Sequence, residues 1–219
     1  TKMINSVMKQ EGEEMKQETE QAVNEHAGIG MNGHILIRDK ETGEELVNKR
    51  NAIHYGNMAN NVANAMGGSA TARENAKIHF MAFGNGGTSV DTAGKVVYKS
   101  PRVSESFEAS ADLYSRTYNK IISGNTSTDK IEVIAGSSFT DLKVTCTLGY
   151  AEPSDQDLFD SSTDNDWSYV FDELALYSLP TDGSNITTSK MLTHVVFHPV
   201  QKSQNRIIEI IYTVRIQLS

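Results

Sequence analysis

A glycine-rich loop, a pair of histidines, a run of acids and one cysteine are the residues whose types could do chemistry. Gly84-Asn-Gly-Gly-Thr88 follows an apolar run, a setting in which backbone N–H groups can cradle a phosphate. A Walker loop, however, ends in Gly-Lys-Ser/Thr and opens a helix whose N-terminus holds the anion. Here the chain continues Ser-Val-Asp-Thr-Ala-Gly, with no lysine and no helical spacing. The Gly-x-Gly-x-x-Gly βαβ fingerprint of dinucleotide sites is also absent. The loop therefore reads as a tight turn or as a surface for closely approaching backbone. His194-Val-Val-Phe-His198 has the letter spacing of paired helical zinc ligands, but Val-Val-Phe is strand composition. At strand rise the two imidazoles stand about 13 Å apart, too far for one ion. The glutamate that a zincin uses as base is missing as well. Two half-buried strand histidines are expected.

From Glu152 to Glu173 the chain carries Asp155, Asp157, Asp160, Asp164, Asp166 and Asp172 without a Lys or Arg. Calcium takes carboxylate and carbonyl oxygens, so one reading of residues 152–173 is a calcium site completed by another subunit. The EF-hand offsets fail, and a solvated loop is the default. Trp167 and Tyr169 beside these acids also offer a stacking surface for carbohydrate. Cys146 lies in Leu142-Lys-Val144-Thr-Cys146-Thr-Leu148, on the parity of the apolar residues. A lone cysteine there reads as a buried, inert thiol. Gly-x-Ser-x-Gly is absent, and no serine–histidine–acid arrangement declares itself. No catalytic residue, metal or cofactor is assigned, and the chain is expected to be non-enzymatic.

The elements that would position these groups fall into two parts. Residues 1–28 form an N-terminal helical arm, rich in Glu, Gln, Lys and Met and free of proline. Its apolar positions are Ile4, Val7, Met8, Met15 and Ala22. Met8, Met15 and Ala22 recur every seventh residue, but Glu11 and Glu18 fill the intervening slots. A stable coiled coil wants both slots apolar, so these residues are candidate partner contacts. Ala27–Gly33 reads as a flexible connector.

Residues 29–219 form a β-rich body, with a possible sub-boundary near 125–130. His34–Arg38 and Glu45–Arg50 flank a polar turn and predict a hairpin. Tyr55, Met58, Ala59, Val62, Ala65 and Met66 recur at three-four spacing and predict the one short internal helix, ended by Gly67-Gly68. Lys77–Phe83 and Lys95–Tyr98 read as strands, and a helical turn or strand falls around Leu113 to Ile122. Further strands are expected at 130–135, 142–150, 168–178, 191–200 and 205–218. In the last, Ile208, Ile210, Tyr212, Val214, Ile216 and Leu218 share one face, the alternation of a sheet with one side on the core. Gln201–Gln204 is short enough to join the last two strands as a hairpin. The fold class is mainly β: an antiparallel β-sandwich or jelly-roll-like body.

The formal net charge of −8 argues against a nucleic-acid platform, which needs a basic stripe, and against an anionic membrane surface. No apolar run approaches the roughly 18 residues of a membrane span. The charged N-terminus lacks a signal-peptide core, and one cysteine makes no disulfide framework. Synthesis in a reducing cytoplasm is expected.

Three stretches carry a resemblance. Gly33–His54 holds a short strand pair ending in Lys-Arg-Asn-Ala-Ile, followed by the small-residue helix. Ile78-His-Phe-Met-Ala-Phe-Gly-Asn-Gly-Gly-Thr88 follows, and Asp172–Ser178, Leu192–Phe197 and Arg206–Ile216 close the chain. Together they resemble structural virion proteins of tailed bacteriophages, of the tail, baseplate, neck or fibre-attachment type. The resemblance implies a symmetric homo-oligomer that contacts other virion structural proteins and resides in the virion. It implies an assembly subunit that binds neither nucleic acid nor membrane. A capsid decoration protein and a carbohydrate- or receptor-binding module are the alternatives.

Overall fold

Alternating apolar residues set most of the strands of the computed structural model, which describes residues 28–103, 111–153, 168–182 and 186–218. The strands are β1 Ile29–Asp39, β2 Glu45–Ile53, β3 Ile78–Gly84, β4 Thr88–Val90, β5 Val96–Tyr98, β6 Arg116–Ile121, β7 Lys130–Ala135, β8 Phe139–Leu148, β9 Ser168–Ser178, β10 Thr193–Ser203 and β11 Ile208–Leu218. Two helices, α1 Tyr55–Gly67 and α2 Ala70–Asn75, lie between β2 and β3 where one was expected, because Ser69 caps a new helix directly after the Gly67-Gly68 stop. Nine strands form one antiparallel sheet in the order β6-β3-β9-β10-β2-β1-β11-β8-β7, and β4-β5 is a separate hairpin.

The fold is therefore mainly β, as the alternation implies. Its body is one continuous sheet curled into a half-barrel, where a sandwich or jelly roll was expected. Its shortest pairing is between β2 and β10, which share only the pairs Thr193↔Ile53 and His194↔Ala52. Beyond them β10 leaves β2, and Lys49 Nζ reaches across to donate to Val196 O at 2.8 Å. Curling lets both halves face one core. Ile35, Ile37, Val144, Cys146, Ile210 and Tyr212 come from one half, and Phe83, Phe171, Leu174 and Phe197 from the other. The β6 edge approaches β8 through a side chain: Lys120 of β6 donates to Thr147 O of β8 and pairs with Glu152 at 2.7 Å.

The β1–β2 hairpin turns where the sequence places it. Gly43 takes φ +76°, a conformation that costs a glycine little, and Asp39 Oδ1 accepts from the N–H groups of Glu41 and Thr42, each at 2.9 Å. The Thr42 N–H and the Arg206 guanidinium, 2.6 Å from Asp39 Oδ2, hold this carboxyl down at about 2. Because the folded value lies below the unfolded one, the stabilisation is complete above about pH 4 and is lost as pH falls through about 2. Asp39→Asn should therefore flatten the urea midpoint between pH 4 and 2 relative to wild type. An equally steep acid limb in the variant would exclude this role.

Two expectations are corrected. Ile29–Gly33 is no connector: it opens β1, pairing with β11 from Ile29↔Leu218 to Gly33↔Val214. Gly33 serves close approach, since a Cβ there would meet Asn51 Oδ1 at 1.4 Å. Nor do β10 and β11 form a hairpin: β10 pairs with β9 and β2, and β11 with β1 and β8. A short link permits a hairpin without requiring one, and the apolar face of β11 is matched by those of β1 and β8. Residues 1–27, with the arm contacts Ile4, Val7, Met8, Met15 and Ala22, lie outside the described residues.

Candidate interaction surface and the buried Glu173 cluster

The glycine loop and the acids meet. In β9 the in-out alternation slips at Asp172-Glu173, so that Tyr169 and Phe171 on one side of the slip and Leu174 and Leu176 on the other all enter the same core. Both acids thereby reach the 84–88 loop. Asp172 accepts from the N–H groups of Gly87 and Thr88, each at 2.8 Å, and from the Thr88 hydroxyl. Glu173 is fully buried. Its Oε1 accepts from Gly86 N at 3.1 Å and Ser115 N at 2.8 Å; its Oε2 accepts from Tyr114 N at 3.0 Å and pairs with His194 Nε2 at 3.0 Å. The Arg102 N–H donates to His194 Nδ1 at 2.8 Å. Nδ1 is thus an acceptor, and Nε2 carries the proton given to Glu173. Burial pushes the Glu173 carboxyl up, but the hydrogen bonds from His194, Ser115 and Tyr114 outweigh it and hold the pKa below the ordinary value.

The loop is thus a surface for approaching backbone, with the acids as its anchor. A Cβ on Gly86 would come within 2.8 Å of Ser115 N, so the loop can close only on glycine. Lys99 Nζ caps Gly86 O at 2.6 Å and lies 4.5 Å above the Tyr114 ring. Every oxygen of Glu173 and both nitrogens of His194 are engaged within the protein. The cluster fastens three irregular segments to β9 and β10.

Other sequence candidates separate. His194 is fully buried, whereas His198 is exposed and contacts Tyr98 Oη at 3.2 Å. Their half-burial is corrected by the irregular register between Val196 and Val200, where Pro199 has no N–H to give a ladder. Asp172 and Glu173 are strand residues, not part of a solvated loop; residues 154–167, with Trp167, lie outside the described residues. Tyr169 offers no stacking face, being buried against Phe171 with ring centroids 5.6 Å apart. Cys146 is buried as expected, and burial pushes its thiol well up. Among the described residues no three His, Cys, Asp or Glu side chains could hold a metal, and no helix is long and apolar enough to cross a membrane.

The surface that sequence reasoning missed is on α1. A three-four apolar stripe ordinarily faces the core. Here Asn57 and Asn61 face the body instead, at 0% and 5% exposure. Asn57 Nδ2 donates to Met191 O at 2.8 Å and Asn61 Nδ2 to Ala76 O at 3.0 Å. These carbonyls lie just outside β10 and β3; that of Met191 is buried and needs a donor, and that of Ala76 is half-buried. With the asparagines inward, Met58 joins the core at 8% exposure and the outer part of the stripe faces away from it: Tyr55 is 71% and Met66 80% exposed. Between this stripe and Ile29 and Met31 runs a groove of about 380 Å³, lined also by Met58, Ala59, Val62 and Ala63. The signal was present as asparagines at 57, 60, 61 and 64, a polar face opposite the apolar one.

Comparison of the chain with protein-family models, with curated proteins and with solved structures gives no match.

Proposed function

We propose that this protein is a non-enzymatic assembly subunit of a tailed-phage particle, a tail, baseplate, neck or fibre-attachment component that works through oligomeric contacts. The observation that carries the reading is the face of α1: the helix seats Asn57, Asn61 and Met58 on the body and offers Tyr55, Ala59, Ala63 and Met66 outward. A contiguous apolar groove of this kind on a folded surface marks a protein–protein contact. The edge strand β7 adds a second surface. It pairs with β8 and exposes Val133 at 74% and Ile134 at 46%, an edge of the kind that invites another chain. The phage assignment itself rests on the sequence resemblance, and the virion is its place of action. Closed symmetry would repeat each contact around a ring.

Sedimentation velocity of the full chain at micromolar concentration, with negative-stain images of the product, tests this reading. A closed multimer is expected. A strictly monomeric protein would remove it.

A further inference from the structure

We propose that β7 is a pairing edge for a second copy of this chain: the two β7 strands run antiparallel across a two-fold axis, with Val133 opposite the partner's Val133. The proposal rests on the reading of the protein as an assembly subunit, whatever particle it serves.

The edge carries an unspent row of ladder groups. Gly136 donates its N–H to Phe139 O of β8 at 2.8 Å, and backbone groups alternate sides along an antiparallel strand. Lys130, Glu132 and Ile134 are in step with Gly136 and face β8, so Ile131, Val133 and Ala135 direct their N–H and C=O groups outward. Asn125 Oδ1 takes the outward Ile131 N–H at 2.8 Å. Among the described residues no group reaches the outward N–H and C=O of Val133 and Ala135. Beside them Val133 is 74% and Ile134 46% exposed. Charges, proline and bulges are the devices that keep an edge from pairing. The β7–β8 ladder has no bulge, and Ile131 to Ala135 hold no proline and no lysine. The opposite edge of the sheet is guarded. There β6 carries Arg116 and Lys120, its register to β3 is irregular at Phe83/Gly84, and Lys120 and Tyr118 are engaged with Thr147 O and Glu152.

Self-complementarity selects a second copy. With β6 guarded, β7 is the edge of the large sheet that each copy can offer, and the contact is isologous. Pairing about Val133 overlaps Ile131 to Ala135 of both strands. The two Val133 residues exchange N–H···O bonds, and each Ala135 N–H donates to Ile131 O, the outward group that Asn125 leaves free. Other registers are poorer. Pairing about Ile131 opposes two N–H groups that Asn125 already holds. Pairing about Glu132 sets two carboxylates directly opposite, which is destabilising. Pairing about Ile134 overlaps only Val133 to Ala135 of β7. In the Val133 register each Glu132 lies opposite Ile134, and Lys130 stays 3.0 Å from Glu132 on its own strand.

Disulfide trapping of full-length variants reads the register. Opposed residues that exchange no ladder bonds stand about 4.5 Å apart at Cα, within reach of a disulfide. Glu132→Cys mixed with Ile134→Cys and oxidised should therefore give mainly the heterodisulfide, mapped by mass spectrometry of the bridged peptides. Native Cys146 is buried and stays in place. Either variant bridging chiefly with itself would overturn the Val133 register, and no bridge at all would overturn the pairing. Val133→Pro is the second test. The Val133 N–H makes no bond within the chain, so proline is tolerated there while the two central bonds between copies are lost. Sedimentation should show self-association weakened about tenfold or more, with the thermal melt unchanged. Multimers that persist undiminished in Val133→Pro would remove β7 from the interface and leave the assembly reading standing on α1. A strictly monomeric wild type would remove both.

Discussion

Glu173→Gln should destabilise the protein by about 3–5 kcal/mol, the cost of breaking a buried, hydrogen-bonded charge. Glutamine keeps the shape but replaces one oxygen by an NH₂ group. If that group takes the Oε1 place, it meets the N–H groups of Gly86 and Ser115; if it takes the Oε2 place, it meets Tyr114 N–H and His194. Backbone donors cannot become acceptors. The imidazole cannot adapt by moving its proton either, because Nδ1 already accepts from Arg102 N–H. In both orientations a donor faces donors.

Urea denaturation should show a lower midpoint with an unchanged slope. The acid limb should change too. Glu173 is held below its ordinary 4.5, so its stabilisation is complete above that value and disappears as pH falls through the lowered folded value. The variant should lose that limb. A destabilisation under about 1 kcal/mol would mean that the loop is fastened by something else.

The second large effect concerns α1. Ala63→Glu with Met66→Glu should weaken self-association about 30-fold or more, the equivalent of roughly 2 kcal/mol at an interface hot spot. The same pair should alter monomer stability by less than about 0.5 kcal/mol per position, as expected of exposed sites. Asn61→Ala, on the opposite face, should behave in reverse. It strips the donor from Ala76 O and should cost about 1–2 kcal/mol of stability, with association intact. Concentration-dependent sedimentation and thermal melts of the three proteins separate these outcomes. Unchanged association in the double variant would show that α1 takes no part in assembly.

Local pattern was enough for much of the fold. The alternation of β11, with Ile208, Ile210, Tyr212 and Val214 all buried, could be read from period two because a strand with one face on the core leaves no other arrangement. The β1–β2 turn was legible through Gly43, and α1 through its three-four spacing and its glycine stop. Each of these depends on residues close together in the chain.

Pairing and orientation were not legible, because they depend on partners far away in sequence. β10 and β11 looked like a hairpin and became members of different strand pairs, since the faces that match β11 belong to β1 and β8. The loop at 84–88 read as a tight turn or a surface for approaching backbone, with nothing to say which groups it approached. It became a backbone cradle only when β9 brought Glu173, 87 residues from Gly86, into reach. Asp172 and Glu173 read as solvated acids because their donors come from three other segments.

The chemistry-bearing residues were thus all visible in the sequence, and so was the period of most long strands and of α1, though not of β6 or α2. Only the tertiary structure decided which way each faced. It turned Glu173 and His194 inward, where their hydrogen-bonding atoms are engaged within the protein, because irregular backbone buried beside β9 and β10 needs acceptors. It turned the outer part of the α1 stripe away from the body while Met58 entered the core, because the carbonyls of Met191 and Ala76 take the asparagine donors.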